Sequence, residues 1–143
     1  MNNNVIDRNN QNNADGSRFF VLESGLVEAG NEKVINLPTL PNGRFILEIS
    51  PASELPQITF VTDTETYAIM NTSTLSNISI EYDRGMFKCS PFTLTGASPS
   101  TTWSTRPILL SYGTDNYTIY VSDVIKSINI KPLTATIYKV YIL

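Results

Sequence analysis

The side chains able to do chemistry in this chain of 143 residues are few, and the commonest is missing: there is no histidine. Its absence removes the usual general base, every Ser-His or Cys-His nucleophile arrangement, and the commonest ligand for zinc, copper and iron. The single cysteine, Cys89, has no second thiol with which to pair or share a metal. Lying in a strand-like stretch beside Pro91, it reads as a buried, inert thiol. Two carboxylate pairs have the i, i+2 spacing that puts both acids on one face of a strand, Asp63 with Glu65 and Glu81 with Asp83. A glycosidase works with two such acids. Both pairs, however, alternate with apolar or Thr residues as a wet sheet face does, so they read as solvated surface. Asp63, Thr64 and Glu65, or Asp115 with Asn116, offer oxygens to calcium, but without the run of ligands around a fixed glycine that makes such a site specific. The seven glycines are scattered and build no phosphate-cradling loop. The expectation is a protein with no catalytic residues, no cofactor and no metal.

Binding potential lies instead in aromatic side chains. Trp103, the only tryptophan, stands in the longest polar stretch, residues 96–106, with Tyr112 and Tyr117 on the strands that follow. Aromatic rings stack on sugars, which makes a glycan one ligand for this surface. The plainer reading has Trp103 folded back as a lid on the core or packed against a neighbouring subunit.

These residues must be positioned by strands. The clearest signal is residues 77–89, where Ile78, Ile80 and Tyr82 alternate with Ser79, Glu81 and Asp83. That is the period-2 pattern of a strand with one buried and one wet face. Asp83, Arg84 and Gly85 turn the chain, and Met86 and Phe87 begin the return. Similar runs occur at 19–23, 33–37, 44–50, 57–61, 66–70, 92–95, 107–112, 117–121, 128–131 and 134–143, separated by Gly, Pro and Asn. The runs 107–112 and 117–121 read as a second hairpin. Sixteen Thr, seven Tyr and many Ile and Val fit pleated surfaces, and no stretch carries the spacing of an amphipathic helix. The fold expected is all-β: an antiparallel two-sheet sandwich or jelly roll over residues 18–143, behind an extended N-terminal arm over 1–17.

Half of the fourteen asparagines fall within the first thirteen positions. Chain of that composition buries too little apolar area to offset the entropy of ordering, so alone it is expected to be disordered. Val5 and Ile6, followed by Asp7 and Arg8, are the exception. Together with Arg18 they are expected to anchor the arm on a partner.

Ten basic and thirteen acidic residues give a net charge of −3 with no basic stripe, which argues against nucleic acid. No apolar run approaches the ~18 residues of a membrane span. The N-terminus lacks the order of a signal peptide, so synthesis in a reducing cytoplasm is expected. Three N-x-S/T sequons, at Asn71, Asn77 and Asn116, are what chance supplies among so many Ser and Thr.

An Asn-rich arm ahead of a β-sandwich with no catalytic equipment and a strongly apolar last strand resembles, in organisation alone, the small structural proteins of tailed-phage and related virions. Capsid auxiliary or decoration proteins, pentons and fibre heads share that arrangement. The resemblance implies manufacture in a host cytoplasm, a place in the virion, contact with other virion proteins, and assembly as a homo-oligomer, trimeric or pentameric. Phe20, Ile46 and Val61, which alternation assigns to outer faces, mark apolar surface for that assembly. The alternative function is a carbohydrate-binding or adhesin-like module.

Overall fold

The computed structural model describes residues 19–69, 77–90, 92–96, 105–112, 119–121 and 124–143. At 92–96, 105, 107, 109–112 and 119–120 it describes the backbone alone. The described residues contain twelve β-strands and no helix: β1 (Phe20–Val27), β2 (Lys33–Asn36), β3 (Arg44–Pro51), β4 (Gln57–Val61), β5 (Thr66–Ile69), β6 (Ile78–Asp83), β7 (Met86–Ser90), β8 (Phe92–Gly96), β9 (Thr105–Tyr112), β10 (Ile119–Tyr120), β11 (Ser127–Lys131) and β12 (Thr136–Ile142).

Alternation decides which side chains go inside. In β3, Phe45, Leu47 and Ile49 are buried while Glu48 is exposed, and in β6, Ile78, Ile80 and Tyr82 are buried while Ser79, Glu81 and Asp83 are half-covered. The hairpin between β6 and β7 closes in two residues, with Asp83 already paired to Met86. Arg84 and Gly85 both have positive φ, 47° and 95°, the type I′ geometry whose twist matches that of the strands. Arg84 is the one described non-glycine residue in that region. Its N–H donates to the carbonyl of Gly43 at 2.8 Å, which ties the β6–β7 turn to the turn before β3.

The strands form two six-stranded sheets, ordered β1-β12-β3-β6-β7-β10 and β2-β11-β4-β5-β9-β8. Eight of them make four nested antiparallel pairs: β4 with β5, β3 with β6, β2 with β11, and β1 with β12. A long hairpin rolled up so that successive strands fall in opposite sheets has this order, which is a jelly roll. The remaining four strands are inserted between β6 and β11 and widen both sheets, with β7 and β10 beside β6 and β9 and β8 beside β5. Every ladder is antiparallel except β5 with β9, where Thr66 lies opposite Thr105 and Ile69 opposite Ile108.

The expected second hairpin does not form. β10 pairs with β7, Ile119 opposite Phe87 and Tyr120 opposite Met86, whereas β9 pairs with β8 in the other sheet. Alternation reports which face of a strand is wet and says nothing about which strand lies beside it.

Between the sheets lies a cluster of rings. Phe45, Tyr82 and Phe87 come from one sheet and Phe60 and Tyr67 from the other. Phe45 stacks on Tyr82 with centroids 5.1 Å apart, and Phe87 reaches Phe60 at 4.7 Å, Tyr82 at 5.2 Å and Tyr67 at 6.3 Å. Offset and edge-on ring pairs add to what burial alone contributes. Phe87, touching rings of both sheets, is the residue most expensive to truncate. Phe87→Ala is expected to lower unfolding free energy by about 3–5 kcal/mol. Tyr141→Ala, on the outer face, should cost about 1 kcal/mol or less. Urea melts followed by circular dichroism check both values.

Candidate functional site

Of the four paired carboxylates, Asp63 is exposed as expected, whereas Glu65, Glu81 and Asp83 are partly covered and engaged by arginines. Arg44 takes both members of one pair: its Nη2 donates to Glu81 Oε2 at 3.2 Å and its Nε lies 3.8 Å from Asp83 Oδ1. The same guanidinium sits 4.9 Å from the ring centroid of Phe19. In the other pair, Glu65 receives Arg106 Nη2 at 2.6 Å on one oxygen and the Tyr67 hydroxyl at 2.6 Å on the other. Arg106 is opposite Tyr67 in the parallel ladder, so this cluster ties β9 to β5. These acids hold strands together through arginines that sequence spacing could not pair with them, because each partner lies in a strand remote in sequence. Cys89 is buried opposite Ile80 in the β6–β7 ladder. Among the described residues no group of three or more Cys, Asp or Glu converges as a metal site would require.

A third cluster closes one edge of the sandwich. Glu23 of β1 accepts from the Tyr138 hydroxyl at 2.6 Å and from Lys33 Nζ at 2.8 Å, and Lys33 belongs to β2 in the opposite sheet. The Lys33 bond, then the Tyr138 bond, hold the Glu23 carboxyl below its ordinary pKa. Lys33 is raised, chiefly by its bond to Glu23, and Tyr138 is raised, first by burial and then by the same carboxylate. Room for the Tyr138 ring comes from Gly25, where a Cβ would stand 3.2 Å from the hydroxyl oxygen.

Around this edge the surface turns apolar. Seven large apolar side chains are exposed among the described residues, Phe20, Val21, Leu26, Val34, Val124, Leu133 and Ile137, each between 45% and 59%. All but Val124 lie on β1, on its partner β12, on β2, or in the β11–β12 connection, whose Pro132 carbonyl accepts from the N–H of Gly30. Leu26 stands opposite Ile137 in register. β1 and β2 are the last strands of their sheets on this side, so apolar side chains and strand edges share one flank. Phe20 thus matches its expected exposure; Ile46 and Val61 are only half-exposed, Ile46 lying between Tyr141 and Glu81 on the outer face of its sheet.

At one end of the sandwich, Val124 borders a groove of about 460 Å³ between the β2–β3 connection and the segment before β11. Leu37, Leu40 and Ile125 give it apolar walls, Tyr82 lines it, and Arg84 and Lys126 bring positive charge. No acid is among the described residues that line it. Of the expected contact residues, Val5, Ile6, Arg8 and Arg18 lie outside the described residues, as do Trp103 and Tyr117. Tyr112 is described by its backbone only, opposite Phe92 at the end of β9. The flank and the groove were missed at the sequence level because each is assembled from strands or connections distant along the chain; Leu26, Leu133 and Ile137 gave no local sign of lying together.

The Glu23 cluster sets a pH dependence. A carboxyl with a depressed folded-state pKa stabilises the fold above its unfolded value, and that contribution disappears as pH falls through the folded value. The stability difference between wild type and Glu23→Gln is therefore expected to be full near pH 7 and to shrink below about pH 4. Urea titrations of both proteins at a series of pH values measure it. A difference unchanged down to pH 2 would refute the linkage.

No protein-family model matches this chain, and no curated protein matches it, so its function has to be read from this surface.

Proposed function

We propose that this protein is a non-enzymatic structural subunit of a viral particle, a capsid auxiliary, decoration, penton or fibre-type component that oligomerises and attaches partly through its N-terminal arm. The observation that carries the reading is the apolar flank formed by β1, β2 and β12. Exposed apolar side chains on and beside strand edges that have no partner among the described residues are a liability for a monomer and an asset for a subunit. Jelly rolls occur in capsid proteins and in lectins alike, so the fold alone does not choose between an assembly role and glycan binding. The exposed ring among the described side chains, Phe20, lies on the edge strand β1, and the half-buried ring of Tyr141 on the outer face is a poor platform for a sugar. Tyr141 donates to Glu48 at 2.9 Å, and Lys139 Nζ lies 5.4 Å from its ring centroid, so both the hydroxyl and one ring face are already engaged.

A second copy would cover the flank, and a closed ring of three or five copies would cover it on every subunit. Light scattering on the protein at micromolar concentration is expected to give a multiple of 15.9 kDa. Leu26→Lys combined with Ile137→Lys places two charges side by side on the flank and should shift the mass to monomer with the circular dichroism spectrum intact. A wild-type protein that stays at 15.9 kDa at every concentration counts against the assembly reading. Competable sugar binding on a glycan array, lost in Trp103→Ala, would replace it with the carbohydrate-binding one.

A further inference from the structure

We infer that the groove bordered by Val124 is the receptor for the N-terminal arm of a neighbouring copy, with Val5 and Ile6 against its apolar walls and Asp7 at its basic rim. The inference rests on the subunit reading above and names the partner of the arm as a second copy of this chain. Three observations carry it. The groove combines apolar walls from Leu37 and Leu40 with Arg84 and Lys126, and no acid is among its described lining residues. Val5-Ile6-Asp7 is the one place in residues 1–17 where two large apolar residues are followed by an acid. Lys126 has no ion pair among the described residues, which leaves its charge available to a carboxylate. Arg84 stands at the same rim, bound to Asp83 through Nε at 2.7 Å and Nη2 at 3.5 Å, so Lys126 is the charge the inference relies on.

Chain length favours a neighbour over the arm's own groove. Phe19 packs against Arg44, and the adjacent Gly43 already lines the groove, so the described chain begins close to it. From Ile6 to Phe19 an extended chain reaches about 45 Å. That is far more than a return to the same molecule needs and is a suitable length for crossing to the next. Residues 8–18 contain Ala14 as their only apolar side chain, as a solvated connection should. Each such contact is modest, and a closed oligomer engages several at once, so the assembly dissociates much more slowly than one arm would.

Cysteine cross-linking on the full chain tests the pairing. Ile6→Cys and Val124→Cys are prepared separately, mixed, and oxidised with copper phenanthroline. A disulfide-linked dimer carrying one copy of each variant is expected. Lys126→Glu in the Val124→Cys chain should reduce its yield by about two- to five-fold, and Asp7→Lys in the Ile6→Cys chain should restore it. Leu133→Cys, exposed in the connection before β12 and absent from the groove lining, supplies the background. A yield no higher than that background overturns the inference. So does a cross-link that forms only within a chain carrying both cysteines. Light scattering on the same samples separates the two levels: an oligomer without the cross-link leaves the subunit reading standing and removes the groove, whereas a monomer at all concentrations removes the subunit reading itself.

Discussion

The two sheets are held in register by rings. Phe45, Tyr82 and Phe87 on one side and Phe60 and Tyr67 on the other fill the space between them, and Phe87 touches a ring from each sheet. Such packing is possible only where both sheets present large side chains at facing positions, which fixes the pairing of β6 with β7 and of β4 with β5 around it. Elsewhere the inner faces carry aliphatic residues, Leu47, Ile49, Ile58, Ile128, Ile130 and Val140, all fully or almost fully buried. A one-residue slip in any of these strands would carry its whole buried set to the solvent side. The cost of that slip fixes the register of each strand once its neighbours are in place.

Nesting has a consequence at the edges. The outermost pair of the roll, β1 with β12, leaves β1 at the margin of its sheet, and β2 is left at the margin of the other. On the opposite side the inserted strands take the outer positions, so the jelly-roll strands β5 and β6 are interior there. The side with β1 and β2 has no such extension among the described residues, and six of the seven exposed large apolar side chains among the described ones lie there. Glu23 and Lys33 are the charges placed to guard this margin, and they are joined to each other across the sandwich. A neutralised pair repels an approaching strand far less than an isolated lysine would.

Much of this was legible in the chain itself. Phe45, Leu47 and Ile49, the run 78–83, and Ile128 with Ile130 occupy the faces their alternation assigns, because that pattern is a direct record of burial. The turn at Arg84-Gly85 was legible because only a few residue types tolerate positive φ. Pairing partners were not. β10 joins β7 and β9 runs parallel to β5, and neither follows from strand-by-strand patterning, since a ladder is made by backbone groups common to all residues. The bulge between Val21 and Glu23 is equally silent in sequence, yet it puts both Val21 and Leu26 opposite outward-facing residues of β12. Glu65 with Arg106 and Glu23 with Lys33 needed the fold to bring them together.

The described charges that form pairs do so within the molecule: Arg44 with Glu81 and Asp83, Arg106 with Glu65, Lys33 with Glu23, Arg84 with Asp83. With a net charge of only −3, little long-range field is left to steer a partner, and exposed pairs of this kind are screened within about 8–10 Å in physiological salt. The proposed association through the flank would therefore draw on apolar area, which ionic screening does not weaken and which is indifferent to direction. In the proposed assembly the two contacts would divide the work. The flank would supply adhesion without much orientation, and an arm seated by one apolar pair and one charge would supply orientation without much adhesion. A symmetric particle needs both, because adhesion alone would let subunits join in arrangements that do not close.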